Sequence, residues 1–217
     1  MRPGALDLAD LLSDVDVPDS SVPGLDFNVK DNSDSSGIFD EKKRKGWNHD
    51  AEPRCDFADK KIKVSFRNPE FGIISRWNRS VYGRTLSDIK SDKSLVDFFA
   101  KELVALIKKI LGCSLDKGDW AVVTAPKRRH KDFNFASAVA KGIASGLNIN
   151  FYEDLVSCNS RQRVNAVFNL EYEPPSERNL IVFDDIVTSG STMIALRNVF
   201  INSGYNMAFF TAINNKM

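Results

Sequence analysis

The sequence predicts an α/β fold, a Rossmann-like parallel sheet with helices on both faces. Three observations carry it. Apolar strand-like runs alternate with segments of helical periodicity from about residue 60 onward. The runs "DWAVVTAP" (119–126) and "NLIVFDD" (179–185) are continuously apolar, as strands buried on both faces are. One of them passes through a Gly-containing turn directly into a helical segment, the junction where such sheets bind ligands.

In order along the chain, residues 1–55 combine "PDSSVPG", "DNSDSSG" and the charge run "DEKKRKG", with few apolar residues. That composition does not offset the entropy of ordering, so a mostly disordered acidic tail is expected, with "LDLADLLSDV" as a short helix within it. "KIKVSFR" (61–67) alternates as a strand does, and "SLVDFFAKELVALIKKILG" (94–112) has helical spacing, opened by Ser94 as a cap and closed by lysines and Gly112. After the strand 119–126, "NFASAVAKGIASGL" (134–147) is a small-residue helix suited to close packing on a sheet. "INFYED" (149–154) reads as a strand, 156–178 as a long polar loop with a hairpin in it, and 179–185 as a buried strand. The helix "STMIALRNVFINSGY" and the strand "MAFFTAI" (207–213) complete the order.

Composition narrows the function. Hydrophobic residues make up 42% of the 217, enough for a core, yet no run approaches the roughly 18 apolar residues of a membrane span. The N-terminus lacks the pattern of a secretory signal, so a cytoplasmic location is expected. Cys55, Cys113 and Cys158 lie far apart, which provides neither a CxxC metal clamp nor a disulfide framework. Residues 1–59 hold 14 acids against 7 Lys/Arg, leaving 15 against 23 for residues 60–217. A folded part with net charge +8 suits a polyanion, whether a phosphorylated small molecule or nucleic acid. The KKRK cluster at 42–45 reads as a solvated linker before a nucleic-acid contact.

The chemistry concentrates in "NLIVFDDIVTSGSTM" (179–193). A turn between strand and helix offers backbone N–H groups and the positive end of the helix dipole, and the hydroxyls of Thr188, Ser189, Ser191 and Thr192 add donors around Gly190. Such a turn suits a phosphate monoester. Asp184 and Asp185 would repel that phosphate, so they are expected to meet sugar hydroxyls or a divalent cation. Phosphate at one end and a vicinal diol at the other describe a ribose 5-phosphate. No lysine follows Gly190 as a P-loop requires, and the turn has one glycine where a dinucleotide fingerprint has three. The plain alternative is a capped helix after a strand with two exposed acids.

This pattern resembles the ribose-phosphate signature of type I phosphoribosyltransferases, an apolar strand with two acids followed by Thr-Ser-Gly-x-Thr. Within that superfamily, residues 60–217 are most similar to the ComF-like group. "VVTAPKRRHKDFNFASAVAKGIA" resembles its strand, basic loop and helix, with Phe133, Asn134 and Ala136 matching and the Arg and Gly of the group's run replaced. "SRQRVNAVFNLE" resembles its Arg-rich flexible loop through Arg161, Arg163, Asn165 and Phe168. The four-cysteine zinc ribbon that commonly opens such proteins has no counterpart here, so no zinc is expected.

The resemblance implies a phosphoribosyltransferase domain over 60–217 with a small N-terminal hood, using 5-phosphoribosyl 1-pyrophosphate with Mg²⁺ and releasing pyrophosphate to a nitrogen acceptor. Asp184 and Asp185 would hold the ribose diol and, largely through substrate and water, the Mg²⁺. Residues 188–192 would hold the 5-phosphate, and Lys127, Arg128 and Arg129 the pyrophosphate. Arg161 and Arg163 would be catalytic in a closing loop. His130 is a candidate base that reads first as a surface histidine. Trp77, Tyr82 and Trp120 read as core or hood residues. Thr188 stands where hypoxanthine/guanine enzymes place an aspartate, which disfavours that acceptor. A non-catalytic binder of the same donor, regulatory or associated with nucleic acid, is the alternative. The partners expected are the donor and an unnamed small-molecule acceptor, with a homodimer as the assembly and no membrane.

Overall fold

A computed structural model describes residues 52–68, 71–125, 133–153, 155–158, 168–170, 175–201 and 203–216. The expected tail helix and the KKRK cluster lie outside these residues. The described part belongs to one compact unit, Glu52–Met217.

Its strands are β1 (Arg54–Cys55), β2 (Lys63–Asn68), β3 (Phe71–Ser80), β4 (Arg84–Thr85), β5 (Trp120–Thr124), β6 (Asn150–Tyr152), β7 (Val156–Cys158), β8 (Phe168–Leu170), β9 (Asn179–Val187) and β10 (Asn206–Asn214). The helices are α1 (Leu86–Ser91), α2 (Val96–Leu111), α3 (Cys113–Lys117), α4 (Phe135–Leu147) and α5 (Ser191–Ile201). Five strands lie parallel in the order β3, β10, β9, β5, β6. β2 pairs antiparallel with β3, as does the short β1, which carries β4 on its other side.

Both faces of the sheet are covered. On one, Phe99 and Leu103 of α2 and Val139 and Ile143 of α4 pack against Trp77, Val122, Ile181 and Phe183. On the other, Met193, Leu196 and Phe200 of α5 meet Ile73, Val123, Leu180, Val182 and Phe209. Double coverage explains why β9 reads as an unbroken apolar run: its alternate residues feed two cores. The α/β class with helices on both faces is what the sequence predicts.

Several details differ. β3, ten residues in the middle of the fold, has no counterpart among the expected strands. The folded unit also begins earlier than residue 60, because Cys55 is fully buried in the core and Arg54 pairs with Ser80. Ser94 is not the cap of the long helix: Asp92 accepts from the Ser94 N–H at 2.9 Å and opens a 3₁₀ turn, Lys93–Leu95, ahead of α2. The strand expected over 149–154 is confined to Asn150–Tyr152. In α4, Val139 and Ile143 face the sheet while the glycines face α2. A Cβ on Gly142 would stand 2.7 Å from that of Ala100, and one on Gly146 2.8 Å from Val104 Cγ2. Close helix–helix contact therefore uses the small residues.

The hood is β1, β4 and α1, tied by the Leu86 N–H to the Pro53 carbonyl at 2.9 Å and by Arg84 to Asp92 at 2.7 Å. Its turn depends on Gly83, which has φ +93° and faces the Cys55 carbonyl at a distance no Cβ could tolerate. Gly83→Ala is expected to lower unfolding free energy by about 2–4 kcal/mol, from left-handed strain and the displaced backbone. Urea unfolding measures this; a loss below about 0.5 kcal/mol would mean that the turn is not packed as described.

Candidate functional site

The site begins with how far β9 runs. The expected strand stops at Asp185, but pairing with β10 continues to Val187, opposite Asn214. Backbone ladder bonds do not depend on side-chain polarity, so two acids sit inside a strand, near its carboxyl end. Thr211 of β10 stands in register with Asp184 and also with Ser75 of β3. Ser75 and Thr211 join their hydroxyls at 2.8 Å, fully buried. A row of small polar groups thus crosses three strands at the height of the first acid.

The acids differ in their surroundings. Asp184, partly buried, turns its Oδ1 back to accept the Asp185 N–H at 2.9 Å. Burial, and then the negative charge of Asp185, push the Asp184 carboxyl up to about 8, with the Lys90 ammonium opposing. Asp185, buried at 8% exposure, faces Lys90, whose Nζ lies 3.1 Å from Oδ1 and 2.9 Å from Oδ2. A proton-holding acid beside an ion-paired one is a poised arrangement, of the kind that functional sites keep at a cost in stability.

Immediately beyond, Gly190 takes φ +78°, which favours glycine, and turns the chain into α5. Its carbonyl accepts the Ile194 N–H at 3.0 Å. Ser189 Oγ lies 3.0 Å from Ser191 Oγ and accepts the Ser191 N–H at 3.3 Å. Thr188, Ser189 and Ser191 are exposed and Thr192 partly so, which puts a rim of hydroxyls at the start of an 11-residue helix whose first turn has no acid. That rim, with the helix dipole behind it, can hold an anion.

Other expected residues fall differently. Lys127, Arg128, Arg129 and His130 lie outside the described residues, but their attachment is defined: β5 ends at Thr124, in register with Phe183, beside the diacid. α4 then starts at its cap Asn134, whose side chain accepts the Ala136 N–H at 3.1 Å. Arg161, Arg163 and Asn165 also lie outside, between β7 and β8, whose antiparallel pairing supplies the expected hairpin. Trp77 and Trp120 are core residues, and Tyr82 is 77% exposed on the turn before β4. Cys55 is a free thiol, pushed up to about 12 by burial and then by Asp56.

Lys90 is the site residue that sequence reasoning missed. It pairs across 95 positions, and nothing local in "LSDIKS" marks it. Among the described residues no group of three His, Cys, Asp or Glu could hold a metal. Two carboxylates are nevertheless the hard oxygen donors that Mg²⁺ uses when substrate and water complete its shell. No described helix is long and apolar enough to cross a membrane.

No protein-family model matches the chain, and no curated protein matches it. Among solved structures, orotate phosphoribosyltransferase from Aeropyrum pernix is similar at 18% identity, over 63% of this chain and 68% of that one, with a TM-score of 0.41. A hypoxanthine phosphoribosyltransferase from Staphylococcus aureus shows 13% identity over 57% and 73%, with a TM-score of 0.40. Adenine phosphoribosyltransferase from Leishmania tarentolae shows 10% identity over 70% and 94%, with a TM-score of 0.41.

Proposed function

We propose that the chain is a phosphoribosyltransferase, binding 5-phosphoribosyl 1-pyrophosphate with Mg²⁺ and transferring the phosphoribosyl group to a nitrogen acceptor. The observation that carries this reading is the succession at the end of β9, two carboxylates followed within a few residues by a Gly190 turn rimmed with hydroxyls at the start of α5. The turn takes the 5-phosphate. The acids take the ribose hydroxyls, which can donate to both.

In the reaction the acceptor nitrogen forms a bond to the anomeric carbon while the bond from that carbon to the pyrophosphate oxygen breaks, its electron pair leaving with pyrophosphate. The acceptor's proton passes to a base or to solvent. Mg²⁺, when bound, neutralises the departing charge. Asp184 and Asp185 would hold it, largely through substrate and water, and would orient the diol. Lys127, Arg128 and Arg129, attached beside the diacid at the end of β5, supply positive charge at the leaving group, where preorganised charge lowers the barrier most. Arg161 and Arg163, carried between β7 and β8, close over it and exclude water.

A second reading is favoured by the Lys90–Asp185 pair, which already balances one acid: the same ligand bound without turnover. Calorimetric titration of the full chain with the Mg²⁺-bound donor tests what the two share, and saturable one-to-one binding is expected. No heat of binding would sink both. Acceptor-dependent release of pyrophosphate across a panel of bases and amines then selects the enzyme; binding without release selects the alternative.

A further inference from the structure

The ribose-phosphate reading leaves Lys90 without a task, yet its placement is specific. Its ammonium bridges both oxygens of Asp185, 3.1 and 2.9 Å away. The lysine closes α1, a helix capped by Thr85 at its start and followed by Asp92, which Arg84 holds at 2.7 Å. Asp185 belongs to a central strand. One end of the pair is therefore carried by the hood and the other by the sheet. The lysine side chain is 48% exposed and the aspartate side chain 10%, so the ammonium has a path to water that the carboxylate lacks. Mg²⁺ and Mn²⁺ seek carboxylate oxygens at about 2.0–2.2 Å. An ammonium already 3.1 and 2.9 Å from the two oxygens occupies that approach and adds a repelling charge.

We propose that Lys90 is a built-in counter-cation for Asp185, a positioning residue that keeps divalent metal alone off the diacid and yields when metal arrives with the donor's phosphates, to which the released ammonium can turn. The hood and the diacid are thereby coupled: loading the acids frees α1. The inference rests on the reading of Asp184 and Asp185 as the ribose and cation acids.

The test uses the full chain and Mn²⁺ alone, with free Mn²⁺ followed by its electron paramagnetic resonance signal. Lys90→Met is expected to bind Mn²⁺ about tenfold more tightly than the wild type, the order of effect for one nearby charge screened by water. Lys90→Arg keeps the charge and is expected to behave as wild type. Adding Asp185→Asn to Lys90→Met is expected to remove the gain. A gain in affinity on deleting a side chain is not what a purely structural lysine would give. Unchanged Mn²⁺ affinity in Lys90→Met, or a gain that survives Asp185→Asn, overturns the proposal. Should Lys90→Met not fold, the wild type still decides it: the Mg²⁺-bound donor at saturation is expected to speed amide exchange over residues 86–92 while Mg²⁺ alone at the same concentration leaves it unchanged, and donor binding with unchanged exchange, or equal acceleration by the metal alone, counts against. Failure of the wild type to bind the Mg²⁺-bound donor would remove the underlying reading. Donor binding with unaltered Mn²⁺ affinity in Lys90→Met would remove only the role of Lys90.

Discussion

Asp184→Asn is expected to make the folded protein more stable at pH 8 while lowering affinity for the Mg²⁺-bound donor by at least about 100-fold. The stability part follows from linkage. An unfolded aspartate ionises near pH 4, whereas burial and the adjacent Asp185 hold the native carboxyl's proton up to about 8. Between those values the unfolded chain gives up a proton that the native chain keeps, so native stability is full below about pH 4 and declines as pH rises toward 8. Asparagine escapes that decline. Its advantage is absent at pH 4, grows through the window and levels off above it. About 1–3 kcal/mol is expected, less than the whole shift implies, because the carboxyl is only partly buried and Lys90 is near. The affinity part follows from replacing an acid with an amide that accepts hydrogen bonds at one atom and cannot carry charge to the cation. Urea unfolding at pH 4 and pH 8, with calorimetry for the donor, measures both. A variant that is destabilised at pH 8, or one that keeps donor affinity, would make Asp184 an ordinary strand residue. The opposite signs matter together, since a residue kept at a cost in stability is one retained for function.

Much of this was legible because its physics is local. A run such as "NLIVFDDIVTSGSTM" states strand, acids, turn and helix in consecutive residues, and Gly190 announces the left-handed conformation it adopts. The lysine-rich end of α2 and its Gly112 stop are equally local, the glycine taking φ +47°. β3 was not legible. In "FGIISRWNRS" a glycine, two arginines and an asparagine interrupt the apolar pattern, and the buried residues Ile73, Ile74, Ser75 and Trp77 follow no single period. The strand is specified by partners that come 130 or more residues later on β10, through Phe209↔Ile73 and Ile213↔Trp77. Helix onset was misread for a subtler reason. Serine and aspartate are both good caps, and the choice of Asp92 over Ser94 depends on a 3₁₀ turn that no period reveals. The same holds for Lys90. A basic residue in the last turn of a short helix satisfies the helix dipole, so nothing calls for another explanation until the fold sets it against Asp185.

Trp77→Ala is expected to produce the largest loss of stability of any change considered, about 3–5 kcal/mol. Trp77 is fully buried, 4.8 Å from the Phe99 ring, 5.4 Å from Phe57 and 5.6 Å from Phe98, centroid to centroid. It sits where β3, α2 and the segment after β1 meet, so truncation empties a junction that only large rings fill. Against a total stability of about 5–15 kcal/mol that is a major fraction, and a fall in Tm of roughly 10 °C follows at the usual slope for a domain of this size. Trp77→Phe separates volume from hydrogen bonding. Trp77 Nε1 is buried without a partner, whereas Trp120 Nε1 donates to the Ser114 carbonyl at 2.9 Å. Phenylalanine at 77 therefore removes volume and relieves an unsatisfied donor, for a net cost of about 1 kcal/mol, while phenylalanine at 120 loses a bond as well and costs about 2–3 kcal/mol. Donor affinity should be unchanged in Trp77→Phe. If it falls while thermal stability holds, the ring faces ligand rather than core, and the hood would have to be placed differently over the sheet.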